Sequence, residues 1–127
     1  MRADDLKLRT KQSALRVLKL VEALPKTVAG RAIASQLVRA GTAVAANYRA
    51  ACPGRSKAEF IAKLGTVEEE ADESAFGMEL IIENGMLSQR SVGPLHAEAA
   101  ELTRIMARSR ISASKALRQA KVVSQRK

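Results

Sequence analysis

Five carboxylates crowd one short stretch of this chain: Glu68, Glu69, Glu70, Asp72 and Glu73. Clustered carboxylates are the raw material of metal ligation and of acid–base catalysis. A di-metal helical bundle, however, needs carboxylates together with paired Glu-x-x-His motifs directed inward from several helices. The single histidine, His96, has no glutamate three residues before it. The single cysteine, Cys52, is distant from it in sequence, so neither a Cys/His ligand set nor a nucleophile with a histidine base is supplied. No glycine-rich loop opens a helix to cradle phosphate. The carboxylate run therefore reads as a solvated or partner-facing surface, and no catalytic residue, cofactor or metal ligand is assigned. A non-enzymatic role is expected.

The other chemistry available is that of positive charge. Lys and Arg number 22 against 13 Asp and Glu, for a net charge of +9 and a pI near 10.3, which favours polyanionic partners or acidic surfaces. The balance is uneven along the chain. Residues 1–54 carry 10 basic against 3 acidic side chains, residues 55–90 carry 4 against 8, and residues 91–127 carry 8 against 2. An acidic segment thus lies between two basic ones. Arg9, Lys11, Arg16 and Lys19 near the start, and Arg104, Arg108, Arg110, Lys115 and Arg118 near the end, are the candidate phosphate contacts. Tyr48, Phe60 and Phe76 are the only aromatics, and the two phenylalanines suit packing, so base stacking should be minor. Binding of this kind is sequence-tolerant and weakens steeply as salt rises. Solubility alone is the other reading of the same charge.

The elements that would position these groups are helices. Alanine and leucine abound while aromatics are scarce, which points to aliphatic helix-on-helix packing. A first helix is expected from Leu6–Thr10 to Leu24, closed by Pro25, with Ala14, Val17, Val21 and Leu24, and Leu18 beside them, as its apolar face; Met1 to Asp5 should fray. The second, about 28–51, carries Ile33, Leu37, Ala40, Val44, Asn47 and Ala51 at alternating spacings of four and three. Gly30 and Gly41 weaken it by up to about 1 kcal/mol each, so packing must supply its stability. Cys52-Pro53-Gly54 stops it, and Ser56 with Glu59 forms a capping box that restarts a helix at once. That third helix, about 57–84, has the seam Phe60, Leu64, Val67, Ala71, Ser74, Met78 and Ile81, and ends at Asn84-Gly85. Ser91 and Pro94 suit the start of a fourth, about 92–117, using Leu95, Ala99, Leu102, Met106 and Ser109, with His96 on the surface of its first turn. The basic tail, 118–127, should fray. Four amphipathic segments separated by short breaks make an all-α, antiparallel up-down four-helix bundle, one domain over 1–127. Arg39 is expected to contact Glu70 or Glu73 across the second and third helices, and both Arg39 and Asn47 to be hydrogen-bonded between helices.

The stretches QLVRAGTAVAANYRAA, SKAEFIAKL and EEADESAFGMELI also carry a family likeness. They resemble the bacterial four-helix-bundle proteins typified by those encoded in intervening sequences of 23S ribosomal RNA genes and, more distantly, the accessory proteins of diversity-generating retroelements. The markers are Gln36, Arg39, Asn47, Ser56, Glu59, Phe60, Glu70, Ala71, Glu73 and Phe76. Two positions depart: an acidic residue expected shortly after the asparagine is Ala50 or Ala51 here, and an aromatic expected after Phe76 is Gly77. The resemblance implies a pentameric barrel, and its retroelement branch implies nucleic acid and a reverse transcriptase as partners.

Two functional expectations stand at this point. One is a non-catalytic scaffold that self-associates and binds RNA or DNA through phosphate; the other is a structural protein-interaction module whose charge serves solubility and assembly. In either case the acidic third helix should face a basic helix of the next subunit. With one cysteine, no long apolar opening segment and no run able to span a bilayer, the expected setting is soluble and cytoplasmic, without a membrane partner.

Overall fold

Alternating apolar spacings of three and four become four helices in the computed structural model, which describes residues 2–52 and 54–126: α1 Ala3–Val21, α2 Val28–Ala51, α3 Lys57–Glu83 and α4 Gln89–Gln125. No strand occurs among the described residues. Each helix packs on its neighbour in sequence, and α1 closes the square against α4 over the shortest of the four interfaces. The architecture is an up-down four-helix bundle.

Local chemistry explains the boundaries. The Thr27 hydroxyl accepts from the Gly30 N–H, the Ser56 hydroxyl from Glu59 and the Ser88 hydroxyl from Ser91, so α2, α3 and α4 each start on a side-chain cap. Gly85, at φ +76°, ends α3: its N–H donates to the Ile82 carbonyl, and the Met86 N–H to Ile81, the Schellman arrangement that a left-handed glycine permits. The stop assigned to Pro53 lies outside the described residues, as do the ends Met1 and Lys127.

Four boundary expectations are corrected. α1 starts at Ala3, where Asp4 and Asp5 in the first turn complement the helix dipole, and its helical stretch ends at Val21. Residues 22–24 turn instead, with Ala23 and Leu24 N–H groups bonded to the Leu20 and Val21 carbonyls, and this tucks Leu24 into the core. α4 starts at Gln89, placing Pro94 in its second turn and His96 beyond its first, half-buried and 3.7 Å from Glu79. Most consequentially, the tail does not fray: α4 stays helical to Gln125.

The core forms two stacked clusters. Val17, Leu24, Leu37, Ala75, Met78, Ile81, Val92, Leu95 and Ala99 fill one end. Leu6, Val44, Tyr48, Leu64, Val67, Ala71, Leu102 and Met106 fill the other. The α3 seam matches its sequence pattern except that Phe60 is only half-buried. In α2, Tyr48 rather than Asn47 enters the core, and in α1, Leu6 and Thr10 do so while Leu18 stays 41% exposed. The buried Thr10 hydroxyl is satisfied by donating to the Leu6 carbonyl at 2.8 Å.

The two α2 glycines, which weaken an isolated helix, permit close approach here. A β-carbon at Gly41 would lie 2.9 Å from both γ-carbons of Val17, and one at Gly30 would overlap the carbonyl oxygen of Pro25. Gly30→Ala should therefore lower stability by about 1–3 kcal/mol, against the gain that alanine brings to a helix interior, as urea unfolding would show.

Candidate functional site

α4 is the element on which charge is most one-sided. At 37 residues it is about 55 Å long, against about 28 Å for the 19 residues of α1, so its C-terminal part has no α1 beside it. After Met106 no α4 residue is buried, and Ile111, Val122 and Val123 stand roughly half exposed. No acidic residue follows Glu101 in the chain, whereas Arg104, Arg108, Arg110, Lys115, Arg118, Lys121, Arg126 and Lys127 do.

The structure divides the basic stripe expected along α1 and α4. Arg9 is bidentate to Glu98, at 2.6 and 2.7 Å, with both side chains largely covered. The hydrogen bond to Glu98 raises the Arg9 pKa against the opposing effect of burial. Arg104 donates to Glu101 at 2.7 and 3.0 Å, and Arg108 comes within 3.6 Å of the same carboxylate. The Arg104 hydrogen bond holds the Glu101 pKa below its ordinary value. Arg110 leaves the stripe to bond Glu68 of α3 at 2.7 Å. Glu98 and Glu101 are the only two acids of α4, and both meet arginines at or beside the α1 interface. The remaining expected cations are scattered. Arg16 and Lys19 edge a shallow α1–α4 groove with Ser91 and Leu95, Lys115 and Arg118 lie on the α4 extension, and Lys11 faces α2.

The polar pair across α2 and α3 is assembled more completely than its residue types alone specify. Arg39 reaches both carboxylates at once, Glu70 at 3.2 and 3.4 Å and Glu73 at 2.6 Å, and its pKa is raised, most strongly by the Glu73 hydrogen bond. The network is solvent-exposed, with Arg39 and Glu73 both about half open, so its effect on stability is small. Asn47 is half-buried and makes no side-chain hydrogen bond with another described residue, because Tyr48 has taken the seam position.

Phe76, expected to pack, does not, and the aromatic that enters the core is Tyr48. Tyr48 is buried, which pushes its hydroxyl pKa up, while Phe76 is 59% exposed. Phe76 edges an apolar α2–α3 groove with Ile33, Leu37, Gly77 and Leu80, beside Arg39 and Glu73. Gly77, where the resemblance expects an aromatic, leaves that groove unfilled. The carboxylates of α3 spread outward to Arg110 and Arg39, and among the described residues no three His, Cys, Asp or Glu side chains come together as a metal site. Nor is any described helix long and apolar enough to cross a membrane.

Residues 5–108 match the sequence profile of the 23S rRNA-intervening sequence protein family. The chain belongs to that family. A crystal structure of a protein of unknown function from the S23 ribosomal protein family of Bacteroides thetaiotaomicron has the same fold: TM-score 0.77, 24% identity, covering 87% of this chain and 98% of the other. No curated protein sequence matches. The family match stops at residue 108, so α4 runs on for 17 residues beyond the matched part. Sequence reasoning carried this helix to 117 and missed only its last two turns, 118–125; the signal was that the run after Leu117, with Ala120 on it, continues without glycine or proline.

Proposed function

We propose that this protein is a non-catalytic, homo-oligomeric cytoplasmic scaffold that binds nucleic acid through phosphate contacts, as a ribonucleoprotein or retroelement-type accessory protein. The observation that carries the reading is the α4 extension: an exposed helix with cations at Lys115, Arg118 and Lys121, Arg126 at its C-cap, and no acid after Glu101 to neutralise them. A helix that projects basic side chains past its bundle presents them to a polyanion without unfolding cost. Assembly is supported by the exposed apolar groove around Phe76 and Leu80, edged by Arg39 and Glu73, on a helix whose Glu69, Asp72 and Glu83 are also exposed, which offers a neighbour both apolar surface and charge. A ring would repeat each basic helix and add weak contacts through multivalency. The number five comes from the family resemblance.

Salt-dependent retention of labelled RNA and DNA, with sedimentation equilibrium on the same sample, tests both parts. Expected are an oligomer at micromolar concentration and affinity that falls steeply with salt. A monomer would remove the scaffold, and a dimer or tetramer only the count. The groove at Phe76 also favours a second reading, a protein-interaction module without nucleic acid. Tight association with an acidic protein, together with no retention of RNA or DNA at low salt, would select it.

A further inference from the structure

Three of the basic side chains that form no ion pair come together on the side of α1 away from α4. Lys7 and Lys11 of α1 and Arg49 of α2 wall a groove of roughly 580 Å³, and Thr42, Ala45 and Ala46 of α2 form part of its floor. The small alanines keep the floor low, so the long basic side chains stand on either side of it. Lys7 and Lys11 are one helical turn apart, about 6 Å along the axis, with Arg49 across from them. None of the three makes an ion pair with a described carboxylate. The sequence offers few partners: α2 contains no acidic residue, and the only acids of α1, Asp4 and Asp5, sit in its first turn and pair with none of the three. Three like charges held around one groove repel one another, and an anion seated between them relieves that repulsion.

We propose that this α1–α2 groove binds the phosphate chain of a nucleic-acid strand through Lys7, Lys11 and Arg49. An extended polyanion fits better than a compact one because the cations are distributed along and across a trough between two antiparallel helices. Base readout is absent: the Thr42 hydroxyl is committed to the Val38 carbonyl at 2.7 Å, and no aromatic lines the groove. The site rests on the nucleic-acid reading above, and places contact on a surface separate from the α4 extension.

The test measures the salt dependence of the full-length protein's affinity for labelled single-stranded RNA and DNA. Combined Lys7→Gln, Lys11→Gln and Arg49→Gln substitution should reduce the slope of log K against log salt by about 2, at about 0.7 per phosphate on a single strand. Lys7→Arg with Lys11→Arg should keep the slope, since charge and not shape is required. If the triple variant does not fold, Lys11→Gln with Arg49→Gln, both exposed, should still reduce it by about 1.4. A folded variant with an unchanged slope overturns the groove; if Arg118→Gln with Lys121→Gln lowers it instead, the nucleic-acid reading survives without this site. Wild-type protein that retains neither RNA nor DNA overturns that reading, and inorganic polyphosphate then decides the groove. Capture by wild type and loss in the triple variant uphold it as a phosphate-chain site; no capture overturns it.

Discussion

Reversing Lys115, Arg118 and Lys121 together to glutamate is expected to weaken RNA or DNA binding by two to three orders of magnitude near 0.1 M salt. Each contact to duplex phosphate contributes about 0.9 to the salt slope, so three lost contacts remove about a decade apiece at that concentration, and the new carboxylates add repulsion. All three side chains are exposed on the part of α4 that no α1 covers, and none makes an ion pair with a described residue. The bundle should therefore fold unchanged, with the same helix content by circular dichroism. Anisotropy titration at fixed salt checks the affinity. An unchanged affinity in a folded oligomer would exclude the extension as a binding element.

Truncating Leu64 to alanine should have the largest effect on stability, about 3 kcal/mol, within the roughly 2–5 found for buried leucines. Leu64 is fully buried among Val67, Tyr48, Leu102 and Met106, where three helices meet. Neighbours held by their own helices collapse only partly into the space, so a cavity term adds to the lost transfer free energy. For a chain of this size the melting temperature should fall by roughly 10–15 °C, measured at one protein concentration because assembly would contribute to apparent stability. Leu18→Ala is the control. That residue is 41% exposed, and its loss should cost no more than about 0.5 kcal/mol. Equal losses at both positions would mean that Leu18 is covered in the assembled protein.

The division between legible and illegible features follows the range of the forces involved. Helical periodicity is local: a seam such as Leu64, Val67, Ala71, Ser74, Met78 and Ile81 recurs at fixed steps whatever it packs against, so α3 could be read almost residue by residue. The caps at Ser56 and Gly85 are local for the same reason, each involving groups within one turn of the helix end. The charge asymmetry, the family and the fold class were likewise present in the sequence. Which basic residues remain available was not. Pairing of Arg9 with Glu98 and of Arg110 with Glu68 joins groups 89 and 42 residues apart, and depends on which helix faces which. Counting charges by segment could show that α4 has few acids, but only the packing showed that both lie where arginines at the α1 side meet them, leaving Lys7, Lys11 and Arg49 together on the other side. Side-chain choice at a crowded seam was decided in the same way. Tyr48 and Asn47 are adjacent, and the apolar ring won the buried position because leaving the polar amide there without a partner costs more than turning it toward solvent.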